Sequence, residues 1–473
     1  MKKGSSVIWI AVISMIFTFL STCRRGQMEW QLKAGFAAAQ ITPPPGTALT
    51  GFGERDFDPA GARGVHDDLY VRALYLTQGN EEALIMGFDL LFFSREESDR
   101  FKAAIGNKLD LSPKEILLNT SHTHTGPKVG NWYYTARDPL YLQNLEDKIV
   151  AVALEAKQSA RKTTLWAGET RTEVPLSRRK PLADGTIAFA PNPDGTVDNF
   201  LPFVFFKDQD GGIVCLLFSV ACHPSTIKGD ELASLISADF PGAAAAEIDK
   251  FLGRRGALFL QGAGGDSKAA IIGRGLDEWR AGTWEDVAAL GRMIASDIER
   301  ASSQGMKRVD PDLKTALVEM RLPLAEAPTR EMLAAIGENL PSRVGDSPGY
   351  LRARRMWVEE QIALLDRGYG LRKEVPVLVQ GIRLGEGLRM IGIEGELVAE
   401  LGLLIRDYYG RGITFPLGYS NGTQMYLPTS RMIKEGGYEV ESYWEYRQPA
   451  PLAPGLETLF LEALEKIKKA GIT

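Results

Sequence analysis

The chain has 473 residues, with 55 Lys and Arg against 60 Asp and Glu; the formal charge of −5 excludes a broad basic face for nucleic acid. Hydrophobic residues at 44% and charged residues at 24% are proportions of a folded globular protein, not a disordered one. Three cysteines exclude a disulfide scaffold and any four-cysteine zinc module, and four histidines (His66, His122, His124, His223) confine imidazole chemistry to a short list.

Lys2 and Lys3 precede an uncharged apolar run over residues 7–20. As a helix this run spans roughly 21 Å, short of a ~30 Å hydrocarbon core, so residues 1–22 read as a signal peptide. Leu20-Ser21-Thr22-Cys23 resembles the box before a lipidated bacterial cysteine, making Cys23 a candidate lipid anchor and the only expected membrane contact. The protein is expected to be exported, to the periplasm or the outer cell surface. Cys215 and Cys222 sit seven apart on one strand, on opposite faces, and are expected as buried free thiols.

Short apolar runs at 69–76, 83–93, 115–118, 213–220, 257–260, 377–379 and 388–393 predict buried strands. Helical spacing follows Pro139 through Leu142, Leu145, Ile149 and Val152; Thr283 is a candidate N-cap for a helix through Val287, Leu290 and Ile294. Further helices are expected from Pro241 and over 398–408. Residues 327–370 read as a helical insertion with a linker at 342–349. Strands mixed with helices throughout predict an α/β protein with one large catalytic domain.

Asn119-Thr120-Ser121-His122-Thr123-His124-Thr125-Gly126-Pro127 follows a predicted strand, and continued extension would put His122 and His124 on one face. Such a pair is a metal corner or an acid/base pair. Ser219-Val220-Ala221-Cys222-His223-Pro224 again places a histidine at a strand end, where α/β proteins gather their sites.

These segments, with Gly35, Ile41-Thr42-Pro43-Pro44, Gly64-Val65-His66-Asp67, Ser237-Ala238-Asp239-Phe240-Pro241-Gly242, Gly264-Gly265-Asp266, Gly395-Glu396 and Asn421-Gly422-Thr423-Gln424-Met425-Tyr426, fall in an order that resembles the neutral/alkaline ceramidase family. The resemblance covers residues 33–470. It implies one zinc ion held by His122, His223, Glu396 and Tyr426, with His124 transferring protons and Arg178 near the scissile carbonyl. Glu394 and Glu400 are rivals of Glu396, and Arg179 and Lys180 leave the register of Arg178 open. Asp89, inside an apolar run, needs a partner and is a candidate for orienting a ligand histidine. His66, beside Asp67 and Asp68, is expected to order a loop.

The chain departs from the family in three places. The family's Gly-Asp-x-Ser serine, proposed there as nucleophile, is Lys268 here, and Ser267 stands one residue early. Thr423 replaces a usual tyrosine. The chain ends 47 residues beyond Tyr426, so the family's C-terminal β-sandwich is expected to be absent. A lipase-type serine site at Ser267 is excluded because no histidine follows His223. The resemblance thus implies a zinc-dependent hydrolase acting on a lipid amide such as ceramide or another small molecule. The alternatives are a non-ceramide amide or ester substrate, a serine mechanism through Ser267, and a catalytically silent surface lipoprotein. Trp132, Tyr133 and Tyr134 could line the cleft or pack in the core.

Overall fold

Alternation along doubly buried strands sets the architecture. In the strand Tyr70–Gln78, Val71, Ala73 and Tyr75 face one hydrophobic cluster while Leu74 and Leu76 face another; Glu81–Phe88 repeats the pattern with Leu84, Met86 and Phe88 opposite Ala83 and Ile85. Both faces therefore need cover, which is why these strands read as continuous apolar runs. The computed structural model describes residues 31–53, 55–131, 137–229, 231–273, 278–340 and 348–473. The signal segment, Cys23, residues 132–134 and most of the 342–349 linker lie outside them.

One face of the main sheet is covered by helices. Arg95–Leu109 and Pro139–Gln158 supply Phe101, Ile105, Leu145 and Ile149 to one cluster; Asp239–Leu252 and Trp284–Gln304 supply Phe240, Ile248, Leu290 and Ile294 to a second. The other face packs on a second sheet through Leu74, Ile85, Leu117, Ile382, Met390 and Phe415. The far side of that second sheet is covered by the helices Ala399–Tyr409 and Leu456–Lys469, through Leu401, Ile405, Phe460 and Ile467. The protein is thus a mixed α/β fold layered helix, sheet, sheet, helix. Each buried Leu, Ile or Phe contributes about 1.5–3 kcal/mol.

The main sheet has nine strands, ordered Ala257–Gln261, Ile213–Val220, Phe200–Asp208, Arg161–Arg171, Lys33–Gln40, Tyr70–Gln78, Glu81–Phe88 and Ile116–Thr120, with Lys307–Val309 also pairing with Arg161–Arg171. The outermost pairs are parallel and the rest of the path is antiparallel. The second sheet orders Pro311–Pro323, Glu374–Gly385, Leu388–Ile393 and Ile413–Leu417. The two end strands of the main sheet meet: Asn119 Oδ1 accepts from the Gln261 amide (2.7 Å), and Asn119 Nδ2 donates to the Gly418 carbonyl (2.8 Å). That closure brings distant strand ends to one place.

Local chemistry fixes the helix starts. Asp138 accepts from the Leu140 and Tyr141 amides with Pro139 in the first turn, and Thr283 caps through the Asp286 amide. The helix expected from Pro241 begins at Asp239, which adopts a left-handed φ of 55°. The expected 83–93 strand ends at Phe88, because Asp89 turns back onto the Tyr70 amide (2.8 Å) and Arg72 (3.0 Å). The short run at 377–379 grows into Glu374–Gly385, whose Gly381 leaves room for Ile467; a Cβ would sit 2.7 Å from it. The expected helical insertion holds Arg330–Glu338 and Pro348–Asp366, packed on Trp444; Gly349, expected in the linker, is helical. Cys215 and Cys222 are buried and free, on opposite faces of the sheet. Among the described residues no helix is long and apolar enough to cross a membrane.

Candidate metal centre

Beyond Thr120 the backbone does not continue as a strand. His122 takes a left-handed φ of 69°, so the expected period-2 alternation does not operate; the turn itself brings His122 and His124 together, with ring centres 4.9 Å apart. His223 arrives from the end of Ile213–Val220, its ring centre 4.7 Å from that of His122. One ring nitrogen from each of His122, His124 and His223 lies within 4.8 Å of the others, so this cluster could hold a metal ion.

All three rings are oriented by backbone carbonyls. Nδ1 of His122 bonds Leu91 O (2.9 Å), Nδ1 of His124 bonds Gly51 O (2.8 Å), and Nδ1 of His223 bonds Gly264 O (2.6 Å). With Nδ1 engaged as donor, Nε2 is the free ligand atom. The carbonyl at Gly51 comes close enough because it is glycine: a Cβ there would sit 2.9 Å from His124 Cα and Nδ1, and φ is 121°.

Glu396 and Tyr426 are direct partners in a short parallel pairing, Glu396–Leu397 against Tyr426–Leu427. Glu396 Oε2 lies 3.3 Å from His122 Nε2 and 3.2 Å from His223 Nε2, and Tyr426 Oη lies 3.2 Å from His223 Nε2. Four ligands around zinc, with bonds of roughly 2.0–2.1 Å, stand roughly 3.3–3.4 Å apart along the tetrahedron's edges. The donors present fit such an ion in type and spacing. Tyr419 and Tyr446 donate their hydroxyls to the Glu396 carboxylate from outside. His124 Nε2 is buried and without a hydrogen-bond partner.

Burial raises the Glu396 carboxyl, but the His122 and His223 imidazoles outweigh it and hold it well below the usual range. His223 falls to about 3 through burial and then Arg178; His124 falls well below 6.5 through burial and then the other imidazoles. Both are therefore neutral and able to bind a cation. Burial, reinforced by Glu396, pushes the Tyr419 and Tyr446 phenols well up, which keeps them donors. Burial raises Tyr426 too, with Arg178 opposing.

The other sequence candidates separate clearly. Arg178 lies behind Tyr426, its Nη2 donating to Tyr426 Oη (3.0 Å) and its Nε to buried Glu439 (2.8 Å); Arg179 donates to the other Glu439 oxygen (2.6 Å). Glu394 turns away to Arg95, Gln424 and the Leu378 amide, and Glu400 pairs with Arg431. Asp89 pairs with Arg72 and does not orient a histidine, a task the three carbonyls perform. His66 bonds Asp67 (2.8 Å) and stacks on Trp284. Ser267 Oγ is buried without a hydrogen-bond partner, and Lys268 Nζ reaches Ser225 O (3.3 Å). Sequence reasoning missed Tyr419, Tyr446 and Glu439. The only available signals were the proximity of Tyr419 to the 421–426 motif and the aromatic run at 443–446.

A cavity of about 80 Å³ opens on the cluster, lined by Gly51, Gly53, His122, His124, Tyr350, Glu396, Tyr426, Tyr438, Glu445 and Tyr446.

No known family profile matches the chain, and no curated protein matches it. Among solved structures it matches the neutral ceramidase from Pseudomonas aeruginosa, with a TM-score of 0.68 and 17% identity over 92% of this chain and 73% of that one. It also matches a ceramidase complexed with C2, with a TM-score of 0.70 and 16% identity over 93% of this chain and 75% of that one. The chain therefore has the neutral-ceramidase fold, with a histidine cluster that could hold a metal ion.

Proposed function

We propose that this fold serves a zinc-dependent hydrolase that cleaves an amide bond, with His122, His223, Glu396 and Tyr426 holding one zinc ion. The observation that carries the reading is the convergence of His122 Nε2 and His223 Nε2 on Glu396 Oε2, at 3.3 and 3.2 Å, with Tyr426 Oη alongside. Zinc supplies a polarising charge for a carbonyl and brings water's pKa to near 7.

The chain's own groups do the rest. His124, fixed through Nδ1 on Gly51 O, presents a neutral, unpartnered Nε2 beside the cluster, suited to accept a proton and return it to a leaving group. Tyr419 and Tyr446 hold the Glu396 carboxylate in one orientation. Arg178, engaged by Tyr426 and Glu439, positions Tyr426 instead of facing the cavity. Ser267 does not line the cavity, which favours attack by water over attack by this serine.

An N-acyl lipid such as ceramide is one substrate class. The second reading, a non-ceramide amide or ester, is favoured by the small cavity walled by Tyr350, Tyr438, Tyr446 and Glu445. The test is turnover of ceramide, simple amides and esters by the zinc-loaded protein, with and without a chelator. Chelator-sensitive amide cleavage is expected, with Ser267→Ala keeping at least about half the wild-type kcat. Absence of metal-dependent turnover on the whole panel refutes the hydrolase. A loss above about 100-fold in Ser267→Ala with zinc retained restores the serine mechanism.

A further inference from the structure

The ring and the backbone of His124 are both held from one short stretch of chain. Nδ1 of His124 donates to Gly51 O (2.8 Å), and the His124 carbonyl accepts from Arg55 Nη1 (2.8 Å). The same Nη1 donates to Ala233 O (2.8 Å), which pins Arg55 to a third segment. Gly51 and Gly53 line the small cavity, so this stretch is also a wall of the chamber over the cluster.

What fixes the Gly51 carbonyl is Asp56. Its Oδ1 accepts from the Phe52 amide (3.1 Å) and its Oδ2 from the Gly51 amide (2.7 Å). The Phe52 N–H and the Gly51 C=O belong to one peptide group, and in a planar trans peptide they point in opposite directions. The order is therefore Asp56 carboxylate, peptide group, His124 imidazole: the carboxylate holds the N–H end, and the C=O end holds Nδ1–H. Hydrogen bonds in such a chain polarise one another and strengthen the last acceptor. A carboxylate commonly orients a histidine by direct contact; here one peptide stands between them.

Arg55 fixes the carboxylate in turn. The two residues are neighbours in the turn Arg55–Phe57, 8% and 1% exposed, with Arg55 Nη2 2.7 Å from Asp56 Oδ1. Burying an ion pair adds little to stability on balance, so what this pair supplies is a fixed geometry. The Arg55 guanidinium lies over the Phe52 ring (4.9 Å), and that ring stands 5.2 Å from the His124 ring. Phe57 anchors the turn against Trp357 and Trp444 beneath the helical insertion.

We infer that Asp56, held by Arg55, is the positioning residue for His124: it fixes the Gly51–Phe52 peptide, which keeps the proton on Nδ1 and leaves Nε2 as the acceptor. The inference rests on the hydrolase reading for what His124 does, not for how its ring is held.

The experiment uses the zinc-loaded full chain and compares wild type, Asp56→Asn, His124→Gln and the double variant on whichever amide the wild type cleaves. A side-chain amide cannot accept from both peptide N–H groups and from Arg55, so Asp56→Asn should lower kcat by about 10- to 100-fold with KM within about threefold. In the His124→Gln background the same change should alter kcat by less than about twofold, because its effect runs through the ring. Should Asp56→Asn fail to fold by thermal melt, Arg55→Lys replaces it, with an expected drop of at least about threefold. An unchanged kcat, an equal loss with and without His124, or zinc lost from the variant overturns the proposal and leaves the hydrolase standing. Where the wild type cleaves nothing, histidine 15N NMR decides. With four histidines in the chain, the His124 signals are those missing from His124→Gln. Nδ1 protonated in wild type and a tautomer mixture in Asp56→Asn supports the positioning while the hydrolase is refuted. The same tautomer in both proteins, without turnover, overturns both.

Discussion

Replacing His223 by Ala removes one nitrogen donor from a buried site. The ring is buried, tied to Gly264 O at 2.6 Å, and its Nε2 stands 3.2 Å from both Glu396 Oε2 and Tyr426 Oη. Four-ligand zinc sites bind with roughly 10–16 kcal/mol, so one ligand accounts for about 2.5–4 kcal/mol, or about 100- to 1,000-fold in affinity. At free zinc equal to 100 times the wild-type Kd, binding stabilises the wild type by about 2.7 kcal/mol. For His223→Ala the same zinc concentration is at or below its Kd, and the gain falls to about 0.4 kcal/mol or less. A 473-residue chain unfolds with an entropy near 1 kcal/mol/K, so chelation should lower the wild-type Tm by about 3 °C. The variant's Tm should hardly move. Thermal melts in zinc-buffered and chelated solution, with metal analysis of both proteins, check this. A chelator-insensitive wild type, or equal zinc content in the two proteins, refutes the metal centre.

Two further outcomes concern the groups behind the ligands. Glu439→Gln leaves the buried guanidinium groups of Arg178 and Arg179 sharing no carboxylate at that point, a loss of about 3–5 kcal/mol in urea unfolding; an unchanged midpoint would show the triad is not stabilised as drawn. Burial raises Asp266 from 3.8 to about 7. Between about pH 4 and 7 the folded state therefore holds more protons than the unfolded chain, and stability falls as pH rises through that window. Asp266→Asn keeps an oxygen for the Ala399 amide (2.8 Å) and should be more stable than wild type, by up to about 4 kcal/mol at pH 8 and about 1.5 kcal/mol at pH 5. Denaturant titrations at both values test the sign: an advantage that grows toward acid pH contradicts it.

Some of the centre was local and therefore legible. Strand runs followed by His122 and His223 mark the ends of Ile116–Thr120 and Ile213–Val220, because burial of both faces makes such strands continuously apolar. The cap at Thr283 and the buried thiols followed from residue type alone. Other features were legible only through resemblance: Tyr426 is one of fourteen tyrosines and has no local pattern to distinguish it.

What the tertiary structure decided was convergence. By sequence Glu394 is a rival of Glu396, yet Arg95 takes Glu394 while the pairing with Tyr426 turns Glu396 to the histidines. Extension was expected to align His122 with His124, and a left-handed residue did it instead. The meeting of the histidines depends on Asn119 and Gln261 closing the ends of the sheet across 142 residues of chain. Sequence fixes which donors exist, because residue type sets their chemistry. Only long-range packing sets their separation, because no local period carries information about a partner that far along the chain.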